Sequence, residues 1–296
     1  MNNVADIFAI INARIRPRKK KEIIAFLKEN KIAYCETAGS QQAIELAMSS
    51  HAGIVIAVGG DGTIHEVVNG IDLEKQRILI VPAGSLNCLA RSLGIKSIKS
   101  ALTLVKSKNK LQRVDMIDTR ITNADGMVHN RRIIGFASVG YDGLVVQCAS
   151  KHRWVYAPLR YVLAGWIAAS RVKKAKAELC INGHTGKTLK SFSSLLVNNG
   201  GANLFSTIKK WDMQDGLAEF QILKFPGLVH IFWAILSKSF VSGVFCKNTT
   251  NINMSCDVPL QMMADGELFE NVISFSMEVR PAAVQLILPL NAKARR

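Results

Sequence analysis

The chain has 296 residues, 49% of them hydrophobic, and a formal net charge of +16. That length exceeds the usual single core and the apolar content can fill two, so two domains are expected. Six cysteines, Cys35, Cys88, Cys148, Cys180, Cys246 and Cys256, form no Cys-x-x-Cys pair, which speaks against a zinc site and a disulfide framework.

Asp6 interrupts the first apolar run, which then leads into a turn, so no secretory signal is read there and the chain is expected to stay inside the cell. Val4 to Asn12 reads as a buried strand, and Arg18 to Asn30 as an amphipathic helix with Ile23, Ile24, Phe26 and Leu27 inward. Gln41 to Ser50 reads as a second helix, Gly53 to Val58 and Arg77 to Pro82 as strands, and Thr63 to Gly70 as the helix between them. This βαβ series predicts a mainly parallel sheet with its ligand edge beyond the carboxyl ends of the strands. Three loops then meet at that edge: Asn12 to Pro17, Gly59 to Thr63, and Pro82 to Asn87.

From about Asp115 the texture changes to short β-branched and aromatic runs: Met116 to Thr122, Arg132 to Val139, Ala177 to Asn182, Phe192 to Asn198, Leu217 to Leu223 and Val272 to Val279. They predict an antiparallel β domain, interrupted by a helical insert at Leu159 to Lys173. The last apolar run, Val284 to Leu290, reads as a strand able to return to the first domain. The expected division is an α/β domain at 1–114, joined by 281–296, and a β-sandwich domain at 115–280. The longest charge-free apolar stretch, Phe225 to Ser237, contains Pro226 and His230 and is too short to span a bilayer.

Gly59-Gly60-Asp61-Gly62-Thr63 joins a buried strand to a helix. Three glycines let a backbone approach a phosphate, the following helix offers free amides at its positive end, and Asp61 can hold a metal or a substrate hydroxyl. A turn that merely joins strand to helix needs neither three glycines nor an acid.

With His65-Glu66-Val67-Val68-Asn69-Gly70 after it, this motif resembles the diacylglycerol kinase catalytic-domain family, which includes bacterial soluble lipid kinases and the sphingosine and ceramide kinases. The resemblance continues in order through Pro82 to Gly94, Val114-Asp115, Phe136 to Asp142, Asn198 to Gly201, Asp215-Gly216-Leu217 and Asp265-Gly266-Glu267. It implies a nucleotide-binding α/β domain and a β-sandwich lipid-substrate domain, with ATP and substrate held between them. Asn12-Ala13 stands where the family has asparagine-proline. Gly84-Ser85-Leu86-Asn87-Cys88 stands for Gly-Thr-x-Asn-Asp, a form closer to the sphingosine and ceramide kinases.

By the same resemblance, Gly59, Gly60, Asp61, Gly62, Thr63 and Glu66 cradle the phosphates. Asn12, Thr37, Gly84, Ser85 and Asn87 complete the nucleotide contacts. Asp265 or Glu267 is the general base, with Asp61 a third catalytic acid. Asp212, Asp215 and the Leu217 carbonyl match a Mg²⁺ site, although an ordinary acidic turn reads the same way. Asp115 and Asp142 are read either as metal or network acids or as turn caps, and the scattered histidines lack metal-ligand spacing.

The basic excess lies in clusters at Arg14 to Lys21, Arg171 to Lys176, Lys209-Lys210 and Lys293 to Arg296. No nucleic-acid recognition motif accompanies them, so the expected partners are a lipid substrate and an anionic membrane surface, and a homodimer is left open. The expected function is an ATP- and Mg²⁺-dependent lipid kinase, peripherally bound at the cytoplasmic membrane face. A soluble NAD-kinase-like enzyme and a catalytically idle regulator that binds anionic lipid are the rivals.

Overall fold

In the computed structural model, residues 6–85, 87–107, 109–152, 157–172, 175–199, 212–223 and 245–290 are described. The chain opens with alternating strand and helix: β1 (Ile7–Asn12), α1 (Pro17–Glu29), β2 (Ala33–Thr37), α2 (Gln42–Ser49), β3 (Ile54–Gly59), α3 (Asp61–Gly70), β4 (Arg77–Pro82), α4 (Cys88–Ser92) and α5 (Ile98–Thr103). Then come β5 (Lys110–Asn123), β6 (Val128–Ile133), β7 (Phe136–Gly140), α6 (Tyr141–Lys151), α7 (Ala157–Arg171), β8 (Ala175–Ile181), β9 (His184–Phe192) and β10 (Ser194–Asn198). β11 (Ala218–Leu223), β12 (Phe245–Thr249), β13 (Asn251–Ala264) and β14 (Glu267–Leu288) complete the order. The chain divides into two units: Met1–Met116 with Gly200–Asp215 and Arg280–Arg296, and Ile117–Asn199 with Gly216–Val279.

In the first unit the sheet runs β14-β4-β3-β1-β2, every pair parallel. Every residue of β3 is buried, as expected for a parallel strand covered on both faces. The last part of β14 returns to the edge of β4, pairing Leu286 with Ile78 and Ile287 with Leu79. Proline opens α1, where its missing amide costs nothing. The helix buries only Ile23 and Leu27, a single i, i+4 stripe, while Ile24 and Phe26, expected inward, are half-buried. Asp115 ties three segments of this unit: its amide donates to the Met213 carbonyl at 2.7 Å, and its carboxylate accepts from the Ala282 amide at 2.8 Å.

The second unit is antiparallel, with strands in the order β12-β11-β10-β7-β13-β14; β8 pairs β13 and β9, and β5 pairs β6. Side chains from most of these strands, including Phe192, Phe220, Met262 and Phe275, enclose one apolar core. β13 changes partner along its length, meeting β8 through Ile252–Cys256 and β7 through Met262–Ala264. Its register against β14 shifts between Ser255 and Met262, around Pro259, whose missing amide a bulge tolerates.

Two sequence expectations change here. The run Arg132 to Val139 is two strands, broken at Ile134 and Gly135, where the backbone amides turn away from the ladder. Tyr141–Lys151, of which only Tyr141 and Asp142 entered a motif, is a helix that packs Tyr141, Val145, Cys148 and Ala149 against Ala164 and Ala168 of α7. Among the described residues, no helix is long and apolar enough to cross a membrane. Phe225 to Ser237, Gly200-Gly201 and the clusters Lys209-Lys210 and Lys293 to Arg296 lie outside the described residues.

Candidate functional site

At the carboxyl ends of β1, β2, β3 and β4, the loops of the first unit are tied together by short polar contacts. Asn12, the last residue of β1, donates through Nδ2 to Thr63 Oγ1 at 2.8 Å and accepts the Arg14 amide at 2.9 Å. The Ala13 amide donates to Oγ1 of the buried Thr37 at 3.4 Å, so the β2 end joins the same cluster. The Gly59 carbonyl accepts the amides of Ala83 and Gly84 at 2.8 and 3.1 Å, drawing the loop after β4 onto the glycine elbow. Gly60 and Gly84 meet backbone to backbone: a Cβ on Gly84 would lie 2.5 Å from the Gly60 Cα.

Gly60 is the N-cap of α3, and no side chain caps that helix. A Cβ on Gly62 would meet nothing within 4 Å, so the first turn of α3 is open on that side. Uncapped first-turn amides, with the positive end of the helix dipole, form the kind of place where a phosphate binds.

Asp61 is engaged differently from the sequence reading. Its two carboxylate oxygens accept the amides of Cys88 and Leu89, both at 3.0 Å, and so satisfy the start of α4. It holds the β4 loop against the elbow. Asn87, left-handed at φ 50°, closes that loop by bonding both the amide and the carbonyl of Gly84, at 2.9 and 3.1 Å. Glu66 Oε2 accepts the Ala43 amide at 3.2 Å, and Ser85 is exposed. Burial, and next the charge of Asp61, push the Cys88 thiol up, so it stays neutral where the family pattern has an acid.

In the second unit, Asp265 and Glu267 flank the tight turn between β13 and β14. Asp265 is buried at φ 45°, and its carboxylate accepts three consecutive amides: Ile134 at 2.7 Å, Gly135 at 3.0 Å and Phe136 at 2.8 Å. Asn199 completes the clamp: its amide donates to the Gly135 carbonyl at 2.8 Å and its Nδ2 to the Ile134 carbonyl at 3.1 Å. Glu267 is held in a two-pronged ion pair, Arg131 Nε and Nη2 donating to its oxygens at 2.9 and 3.1 Å. Arg131 has no motif around it in the sequence, and only cross-strand register brings it to Glu267.

Asp142 lies fully inside this unit, accepting from Ser138 Oγ at 2.9 Å and Ser194 Oγ at 2.5 Å. Its other oxygen has no hydrogen-bond partner among the described residues. Burial pushes its carboxyl above the ordinary value, against the pull of the two serine hydroxyls. Asp115, placed above in the first unit, and Asp142 both serve as internal network acids. Asp212 and Asp215 sit in a turn of the first unit, where Asp212 accepts the Gln214 amide at 3.1 Å, and Leu217 falls in the second. Among the described residues no group of three or more His, Cys, Asp or Glu side chains is arranged to hold a metal ion.

Residues 11–119, which contain every loop of the first-unit cluster, match the family model of the diacylglycerol kinase catalytic domain. A curated diacylglycerol kinase of Staphylococcus aureus strain JH9 is 26% identical over 262 residues, 82% of this chain and 79% of that protein. A solved Bacillus anthracis strain Sterne protein, described as a diacylglycerol kinase, has a TM-score of 0.67 at 16% identity, covering 97% of this chain and 98% of its own. Another structure from that strain reaches a TM-score of 0.73 at 17% identity, covering 96% of this chain and 97% of that one. Over residues 11–119 the chain is similar in sequence to the diacylglycerol kinase catalytic domain, and over nearly its whole length it shares the fold of these solved structures.

Proposed function

We propose that the protein is a lipid kinase that transfers the γ-phosphate of ATP to the hydroxyl of a membrane lipid such as diacylglycerol, a ceramide or a sphingoid base. The observation that carries this reading is the uncapped start of α3, set beside Gly60 and Gly84 at the carboxyl edge of a parallel sheet, within the stretch matched to the family model. The amides of that turn bind and orient the phosphates, and the Asn12 to Thr63 hydrogen bond fixes the neighbouring loop. Asp61, with both oxygens committed to backbone amides, positions the loops rather than reacting. Asp265, buried, likewise shapes the backbone; Glu267 is bound to a side chain rather than to backbone amides and its side chain stays 22% exposed, so it is the group proposed to take the hydroxyl proton, aimed by Arg131. Mg²⁺ arriving with the nucleotide supplies charge neutralisation on the phosphates, and Asp212 and Asp215 are the proposed carboxylate donors of a further cation.

The proposal places the enzyme at the inner face of a membrane, as a peripheral protein, because its substrate resides there and the chain carries a net charge of +16. The test is purified protein with labelled ATP, Mg²⁺ and, in separate reactions, dihexanoylglycerol, short-chain ceramide, sphingosine and NAD⁺. Label in a lipid is the expected result. Label in NAD⁺ with none in any lipid overturns the assignment.

A further inference from the structure

Helix α7 is amphipathic in an inverted sense. Its small residues Ala164, Gly165 and Ala168 are buried against α6, with the Tyr141 hydroxyl donating to the Gly165 carbonyl at 3.2 Å. Tyr161 and Ile167 are half-buried against the same core, but four other large apolar residues face away: Leu159 is 63% exposed, Val162 45%, Leu163 40% and Trp166 45%. Positions 159, 162, 163 and 166 form one stripe at i, i+3, i+4 and i+7, the spacing of a continuous helix face. A surface helix ordinarily turns such residues inward, and a contiguous exposed patch of this kind marks an interaction surface.

The sequence around the stripe indicates what covers it. Between Asp142 and Glu178 there is no Asp or Glu, while Lys151, Arg153, Arg160, Arg171, Lys173, Lys174 and Lys176 all fall in that interval. Of these, Lys151, Arg171 and Lys176 are exposed. An apolar helix face in an acid-free, cationic stretch complements a surface with anionic headgroups above hydrocarbon, as interfacial helices do. We infer that α7 is the element that docks this protein on an anionic lipid bilayer, its Leu159, Val162, Leu163 and Trp166 side chains entering the headgroup layer. The inference rests on the proposed lipid kinase function, for which it names the means of reaching the bilayer.

Sedimentation with vesicles of equal parts phosphatidylglycerol and phosphatidylcholine tests it, alongside phosphorylation of dihexanoylglycerol, which is soluble and needs no bilayer. The double variant L163E/W166E is expected to lose vesicle binding by about tenfold or more while its dihexanoylglycerol turnover stays that of the parent chain, which also reports an intact fold. In parallel, tryptophan quenching by brominated-chain phosphatidylglycerol should fall in Trp166→Phe, a change that keeps an aromatic ring in place. Unchanged vesicle binding in the double variant, or unchanged quenching in Trp166→Phe, overturns the inference. So does a parent chain that ignores vesicles but forms a dimer that L163E/W166E dissociates. Vesicle binding through α7 without any lipid phosphorylation would sink the kinase reading alone, and phosphorylation of dihexanoylglycerol without vesicle binding would sink the docking helix alone.

Discussion

Gly59, Gly62 and Gly84 lack side chains for different reasons, and the difference can be measured. A Cβ on Gly59 would lie 2.3 Å from Thr63 Oγ1, and one on Gly84 2.5 Å from the Gly60 Cα, whereas one on Gly62 would enter open space. Gly84→Ala should therefore lower stability by about 1–3 kcal/mol in chemical denaturation, because the obstacle is backbone. Gly62→Ala should leave stability unchanged or raise it by up to about 1 kcal/mol, since alanine suits a helix better. Its cost should appear only in kcat/KM for ATP, where a methyl group meets the bound phosphates. The two acids of the β13–β14 turn divide in the same way. Asp265→Ala strips three buried amides of their acceptor and should destabilise the protein by about 3 kcal/mol or more. Glu267→Gln should unfold like the parent chain yet lose about 10²-fold or more in kcat. The sequence singled out both acids but could not divide their roles, because the partners of Asp265 lie about 130 positions away.

At the level of elements, local pattern carried the βαβ half well, since each strand there is a continuous apolar run and each helix keeps one periodicity. The second unit was less legible where its polar groups turn inward. Helix α6 starts at Gly140, φ 100°, where a Cβ would fall 2.4 Å from the Ser193 carbonyl, and it carries Asp142 in its buried first turn. Nothing local signals that burial, because Ser138 and Ser194 approach from β7 and β10. Burial raises the Asp142 carboxyl above the ordinary 3.8. The folded state therefore holds this proton more tightly than the unfolded chain does. The resulting stabilisation is fully present below that ordinary value and is lost as pH rises through the folded-state value. Asp142→Asn keeps a hydrogen-bond acceptor for the serines and removes the titration. Its melting temperature relative to the parent chain should climb as pH rises above about 4. A difference that stays constant with pH would mean that Asp142 titrates normally. A helix was expected at α7, but periodicity alone does not reveal which face is covered.

On the scale of the whole molecule, the first unit is discontinuous in sequence. Val284, Leu286 and Leu288 are fully buried, and the strand they belong to lies parallel to β4. A chain ending at Pro281 should therefore lose the cooperative unfolding of the N-terminal unit, seen as a broadened transition and rapid proteolysis within residues 6–103. A sharp, unshifted transition would show that the returning strand is dispensable. Val284 to Leu290 was legible as a strand because it is an unbroken apolar run. Its pairing partner was not legible, since parallel pairing across such a separation leaves no local mark.

That returning strand sets an order of events during synthesis. A ribosome delivers the glycine elbow early, yet the segment that covers the outer side of β4 emerges only after all the antiparallel strands. Throughout that interval the nascent chain carries Ile78–Val81 with one row of peptide groups unmatched, a hazard for pairing with neighbouring polypeptides. Chaperone occupancy on translating ribosomes should accordingly persist until residues 284–288 have emerged.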